Sequence, residues 1–186
     1  MVSEGLYLAL LAAIAGQRLF ELRLSRRNAR WAFARGGVEL GRGHFRPMVL
    51  VHALFLAGCG VEVLALDRPY TPAVGIPMLI LVVAAQGLRI STQIALGRFW
   101  NTRVIVIPGM PRVRSGPYRY LRHPNYLAVV VEGFALPLVH GAWLTALVFT
   151  LADAWLLRTR IRCENEALSR YAGGAPRADA LAPEAA

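Results

Sequence analysis

The residues able to do chemistry fall in two clusters. The first is the polar, aromatic and basic stretch 116–126, which holds Tyr118, Arg119, Tyr120 and then the run Arg122, His123, Pro124, Asn125 and Tyr126. Proline fixes its own φ and drives the residue before it out of the helical region, so His123-Pro124 closes one element and opens another. A helix that starts at Pro124 presents free backbone N–H groups able to receive a carboxylate. Tyr118, Tyr120 and Tyr126 offer ring faces to an aromatic group or a sulfonium cation, and His123 offers a donor or an acceptor. The second cluster, 158–166, ends the last apolar run. There Glu164 suits ribose hydroxyls or an amino group, and Arg160 or Arg162 can hold an anion. Together these groups suit a zwitterionic, nucleotide-like cofactor, and composition alone singles out none.

Other ionisable residues sit inside apolar runs, where a charge is costly. Glu132 is expected either to contact a substrate hydroxyl or to pair with an arginine; Asp153 is a lesser candidate of the same kind and is expected to be structural. Arg89 either snorkels inward or faces the polar site. Arg18 and Glu21, three apart on one helical face, are expected to form a structural pair. His140 is expected to be a loop residue at the far interface. Cys59 and Cys163 form no CxxC pair, and no HExxH, Walker or GxGxxG pattern occurs. Neither a metal site nor a disulfide framework follows.

The elements that must position these groups are apolar. The chain has 186 residues, 56% of them hydrophobic, and a mean hydropathy of +0.44, values that fit an integral membrane protein. The net charge is +10 and every basic residue is an arginine. These arginines crowd particular loops between apolar segments, which reads as membrane orientation rather than nucleic-acid binding. Spans are expected at 5–24, 47–66, 73–94, 124–139 and 143–157, the last two as a tightly turned hairpin. Arg23, Arg26, Arg27 and Arg30 share a helical face and predict an interfacial amphipathic helix after the first span. Glu62 is expected near the outer interface. Arg98, Arg103, Arg112, Arg114, Arg119 and Arg122 make a second basic loop with no acid among them, and Val104, Ile105 and Val106 predict a small hairpin or an extended connector. A polar helix over 158–171 follows, with a disordered tail over 173–186. The expected fold is therefore all-α and polytopic, with about five transmembrane helices, N-terminus out and C-terminus in. Residues 1–95 form the substrate-side scaffold and 96–172 the cofactor-binding, catalytic region.

The run Arg122, His123, Pro124, Asn125, Tyr126, followed by a helical hairpin and then Arg160, Ile161, Arg162, Cys163, Glu164, resembles the isoprenylcysteine carboxyl methyltransferase family over residues 96–171. The resemblance implies that the two segments enclose S-adenosylmethionine beside a membrane. It implies a cofactor set of Tyr118, Arg122, His123, Pro124, Asn125, Tyr126, Arg162 and Glu164. Toward the acceptor it implies Arg89, Trp100, Arg119 and Glu132. Glu132 or His123 is then the expected base for a hydroxyl acceptor, and Arg89, Arg119 or Arg160 the group that orients a carboxylate. The family often carries a second glutamate where this chain has Asn165. The segments 96–103 and 120–127 with Glu132 are similar to those of a bacterial branch of alkylpyrone and alkylresorcinol O-methyltransferases found with type III polyketide synthases. That implies a lipid acceptor, a bacterial inner membrane with the site facing the cytoplasm, and a polyketide synthase as pathway partner. Three other readings stay open: isoprenylcysteine carboxyl methylation, an NADPH-dependent membrane reductase of the sterol type, and a non-enzymatic membrane subunit or small transporter.

Overall fold

The computed structural model describes residues 2–171; the tail expected at 173–186 lies outside them. The described chain runs through α1 (Val2–Phe33), β1 (Val38–Leu40), α2 (Phe45–Ala65), α3 (Pro72–Leu96), β2 (Val104–Val106), α4 (Pro124–Leu138) and α5 (Trp143–Tyr171). The expected five helices are present, joined by a small sheet. Two boundaries differ from expectation. The arginine face at 23–30 is no separate interfacial helix, because α1 continues unbroken through it for 32 residues. At about 1.5 Å per residue such a helix is ~48 Å long, well beyond a hydrocarbon core of ~30 Å. In the same way the polar stretch 158–171 is the second half of α5, which is 29 residues long. No proline or glycine interrupts either helix at the point where its composition changes, so the backbone carries straight on into polar surroundings.

The connections show why the helices stop where they do. The turn that follows α1 passes through Gly36, which takes a left-handed φ of 74°. α3 opens with Pro72 in its first turn after the extended Thr71, where the missing N–H costs nothing. Gly141, at φ 71°, turns α4 into α5. Within that hairpin Gly133 lets α4 approach closely, since a Cβ there would run into the ring of Phe149 on α5. Tyr7, Leu11, Ile14, Phe55, Cys59, Val63, Val82, Leu136 and Phe149 form the common core.

The outward faces are apolar as well. Leu50, Leu54 and Val61 on α2, Ile80, Val83 and Ile94 on α3, Val130 and Phe134 on α4, and Leu147, Leu151 and Trp155 on α5 are all exposed. Such continuous apolar surface fits a lipid surrounding. By length and composition, Ser3–Phe33, Arg42–Ala65 and Pro72–Phe99 can each cross a membrane, and Pro124–Leu138 is a shorter apolar helix.

At the end of the bundle where α2 stops and α5 starts, Glu62 does not reach outward as expected. It is 6% exposed and caps α5. The backbone N–H groups of Leu144 and Thr145 donate to its two oxygens at 3.1 and 2.7 Å, and the Thr145 hydroxyl and Arg68 Nε donate at 2.8 and 3.1 Å. These amides belong to the first turn of α5 and have no carbonyl partner within the helix. A side chain from α2 thus does the work of a capping residue. His140 lies in the turn between α4 and α5 as expected, but it is buried there: it is 2% exposed, between the rings of Tyr7 and Tyr70 at 5.4 and 5.7 Å. Replacing Glu62 by alanine is expected to cost roughly 2 kcal/mol, because four donors lose a charged acceptor. Thermal unfolding of the detergent-solubilised protein should show a Tm several degrees lower; an unchanged Tm would mean that the cap contributes nothing net.

Candidate active site

The opposite end carries the arginines. Its scaffold is a long-range pairing that sequence reasoning did not find. The connector at 104–106 is extended as expected, but its partner is β1, antiparallel, with Val38 opposite Val106 and Leu40 opposite Val104. Glu39 lies 3.5 Å from Arg42 and 3.6 Å from Arg103, so this sheet ties the two basic loops to one end of the bundle. The last turns of α1 hold the loop that follows α3. Asn28, 2% exposed, donates to the carbonyl oxygen of Trp100 at 2.7 Å, and Ser25 Oγ accepts from Thr102 N–H at 3.0 Å. The backbone N–H of Gly109 donates to Tyr171 O at 3.0 Å, closing the loop onto the end of α5.

Two cavities meet at this end. The smaller, about 160 Å³, is lined by Tyr118, His123, Asn125, Tyr126, Arg160 and Glu164 together with the strand residues of β2. The larger, about 400 Å³, runs between the helices. Ala15, Leu19, Leu22, Val49, Ala53 and Leu56 give it apolar walls, and Arg18, Glu21, His52, Arg89 and Asp153 give it polar points. Trp100, Asn101, Asn125, Tyr126 and Arg160 line both, so they form the partition. Tyr126 is its centre. Its hydroxyl donates to the Glu164 carboxylate and accepts from Arg160 Nε at 3.0 Å, and its ring stacks on His123 at 5.3 Å. Arg160 is 8% exposed and also donates to Met48 Sδ at 2.9 Å. His123 Nδ1 lies 3.6 Å from Glu164 Oε1.

Burial pushes the Glu164 carboxyl up, but the contacts from His123 and Tyr126 and the charge of Arg160 outweigh it, and the group stays below the ordinary glutamate range. Burial, with Glu164 adding to it, pushes the Tyr118 phenol up. Both therefore keep their neutral-pH form, one a carboxylate and one a phenol. Two buried polar atoms on the lining, His123 Nε2 and Asn125 Oδ1, have no hydrogen-bond partner within the protein. Unpaired atoms of this kind in a polar recess are what a ligand satisfies.

The remaining expected site residues are distributed unevenly. Arg89 and Trp100 line the larger cavity. Pro124 is fully buried at the start of α4. Arg119, Arg122 and Arg162 are exposed and line neither cavity, and Tyr120 is 82% exposed. Glu132 lines neither cavity and stands behind Arg18 and Arg89. Arg18 Nη2 donates to both its oxygens at 2.5 Å and Arg89 Nη2 donates to Oε2 at 3.1 Å. Glu21 completes the set, 2.7 Å from Arg18 Nη1 and 3.6 Å from Arg89 Nη1. The Arg18–Glu21 pair expected along one helix is thus half of a four-residue cluster spanning α1, α3 and α4. Both Glu132 oxygens face guanidinium donors, which leaves a proton acceptor little reason to be there. Sequence reasoning also missed Ser25, Asn28, Met48, His52 and Asn101, whose roles depend on neighbours from other helices. Removing Glu132 leaves two buried guanidinium groups to share the one carboxylate of Glu21, so Glu132→Ala is expected to cost about 3–5 kcal/mol of stability. Chemical or thermal unfolding in detergent checks this; a fully stable variant that had lost only activity would restore Glu132 as a base.

The model of the isoprenylcysteine carboxyl methyltransferase (ICMT) family matches residues 78–170, a span that contains the partition and both polar clusters. An uncharacterized protein of Bacillus subtilis, YpbQ, is 36% identical over 163 residues, 87% of this chain and 96% of the relative. An uncharacterized protein of Haemophilus influenzae is 27% identical over 161 residues, 85% and 92% of the two chains. No solved structure matches at a significant level. With the family model spanning half the chain, and its matched segment building the recess around Tyr126, the protein belongs to the isoprenylcysteine carboxyl methyltransferase family.

Proposed function

We propose that the protein is an S-adenosylmethionine-dependent O-methyltransferase that takes its cofactor at the arginine-rich end and a hydroxyl-bearing lipid from the bilayer, first of all an alkylpyrone or alkylresorcinol. Family membership supports the cofactor and the membrane setting, since the family's enzymes use S-adenosylmethionine. The observation that carries the rest is the shared partition: a polar recess and an apolar cavity meet across Tyr126, Arg160 and Trp100.

The residues of the recess fit the cofactor. The Glu164 carboxylate can accept from ribose hydroxyls or the amino group. Tyr118 and Tyr126 offer ring faces to the sulfonium, and His123 Nε2 and Asn125 Oδ1 still lack partners. Bound there, S-adenosylmethionine supplies an electrophilic methyl group. Arg160, fixed by Tyr126 and Met48, holds the partition so that an acceptor oxygen and the methyl carbon approach through one opening, and positioning of this kind is a large share of such a rate. The apolar walls exclude water from the acceptor side. Arginine-rich loops face the cytoplasm in most membrane proteins, which puts the recess where the cofactor is made, the N-terminus outside and the C-terminus inside. A polyketide synthase would be the natural source of the acceptor.

The test is S-adenosylhomocysteine binding to the detergent-purified protein. Micromolar affinity is expected, weakened about tenfold or more in His123→Ala and in Glu164→Ala, as loss of a hydrogen bond to a charged group implies. Glu164 is charged in the bound form and its carboxyl is held below the usual range. Affinity should therefore be flat from neutral pH down to about pH 5, and fall only as the pH drops through the lowered value. A folded protein that binds NADPH and not S-adenosylhomocysteine would replace the methyltransferase reading with the reductase one; binding of neither would favour a non-enzymatic role.

A further inference from the structure

Among the described residues the buried acids are paired, with one exception on the wall of the larger cavity. Glu21 and Glu132 face Arg18 and Arg89, and Glu62 caps α5. Asp153 is 3% exposed, lines the larger cavity, and its Oδ1 has no hydrogen-bond partner within the protein. A buried carboxylate oxygen with no donor is among the most costly arrangements a core can hold, and polar groups kept at that cost in a membrane helix mark a task. The position also speaks for one. Asp153 and Arg160 are seven residues apart on α5, two turns along one face, and both line the same cavity. Arg160 stands in the partition, and Asp153 lies deeper, on the lipid side of it. His52 lines the cavity too; its Nδ1–H donates to the Met48 carbonyl at 2.9 Å and its ring packs edge-on against Phe149 at 5.3 Å.

We infer that Asp153 is the catalytic acceptor of the substrate's hydroxyl proton, and that it selects hydroxyl-bearing lipids over carboxylates. This rests on the methyltransferase reading and deepens it. A phenolic or enolic O–H donates to the Asp153 carboxylate where it lines the cavity, which fixes the acceptor oxygen toward the partition. As the new O–CH₃ bond forms, the methyl–sulfur bond breaks, its electron pair stays on sulfur, and the proton passes from the acceptor oxygen to Asp153. A carboxylate head would instead set a second negative charge beside Asp153. The assignment moves the base from Glu132 and His123 to a residue that composition alone marked as structural.

The experiment compares wild type, Asp153→Asn and Asp153→Leu in two readouts. The first is direct binding, without cofactor, of a long-chain alkylresorcinol, its O-methyl ether and a fatty acid of equal chain length. Wild type should prefer the free hydroxyl over the ether and the acid by about tenfold or more. Asp153→Asn should keep much of the preference over the ether, since its amide oxygen still accepts, but lose the preference over the acid with its charge, and Asp153→Leu should lose both. The second readout is methyl transfer, where Asp153→Asn should fall about 10²–10⁴-fold with S-adenosylhomocysteine binding unchanged. Undiminished transfer by Asp153→Asn, an undiminished hydroxyl preference in Asp153→Leu, or wild-type preference for the fatty acid would each overturn the inference while leaving the cofactor site intact. Absence of S-adenosylhomocysteine binding in wild type would overturn the methyltransferase reading beneath it.

Discussion

A charge held among apolar helices must find its opposite, and the bundle is arranged around that constraint. Arg18 and Glu21 on α1, Arg89 on α3 and Glu132 on α4 place two guanidinium groups against two carboxylates at 2.5–3.6 Å. Apolar helices in lipid have little else to set their register, because one leucine face packs much like another. A four-residue charge cluster does set it, since sliding any of the three helices would strand an ion in hydrocarbon. The cluster therefore serves arrangement more than net stability. Arg18, Glu21 and Arg89 also reach the larger cavity, so the same contacts that align the helices shape the space between them.

The constraint recurs at both ends of the bundle in other forms. At one end the exposed first amides of α5 are satisfied by Glu62 from α2. At the other, Tyr126 hydrogen-bonds both Glu164 and Arg160 and joins the start of α4 to the second half of α5. This second clasp gives the site its character. On one side of Tyr126 lie the polar groups that suit a charged, nucleotide-like molecule; on the other lie walls that suit an alkyl chain. Group transfer between a water-soluble donor and a lipid needs both environments within one bond's reach, with water kept from the second. The residues that line both cavities bring these two environments side by side.

Particular residues show how far the sequence could be read. The apolar runs predicted the helices well, because spanning length is a local property. The hairpin after Pro124 and the segment around His123 were legible for the same reason, since proline and its neighbours constrain the backbone where they stand. The helix ends were less so. Arg23 to Arg30 suggest an interface, yet α1 passes through them without a bend, because charge alone does not stop a helix. β1 escaped notice: Val38, Glu39 and Leu40 are too short a signal, and their partner lies beyond two intervening helices.

Taken alone, the sequence determined that this is an apolar, helical chain with basic loops and the family's motif segments. Hydrophobic length, proline placement and residue type act over a few neighbouring positions and survive in the linear text. Only the tertiary structure decided which acid has a partner. Glu132 and Asp153 look alike in sequence, each a carboxylate inside an apolar run. In the fold one is enclosed by Arg18 and Arg89, and the other lines a cavity and keeps a buried oxygen with no hydrogen-bond partner. The difference lies in side chains from distant helices, and pairing of that kind has no period along the chain.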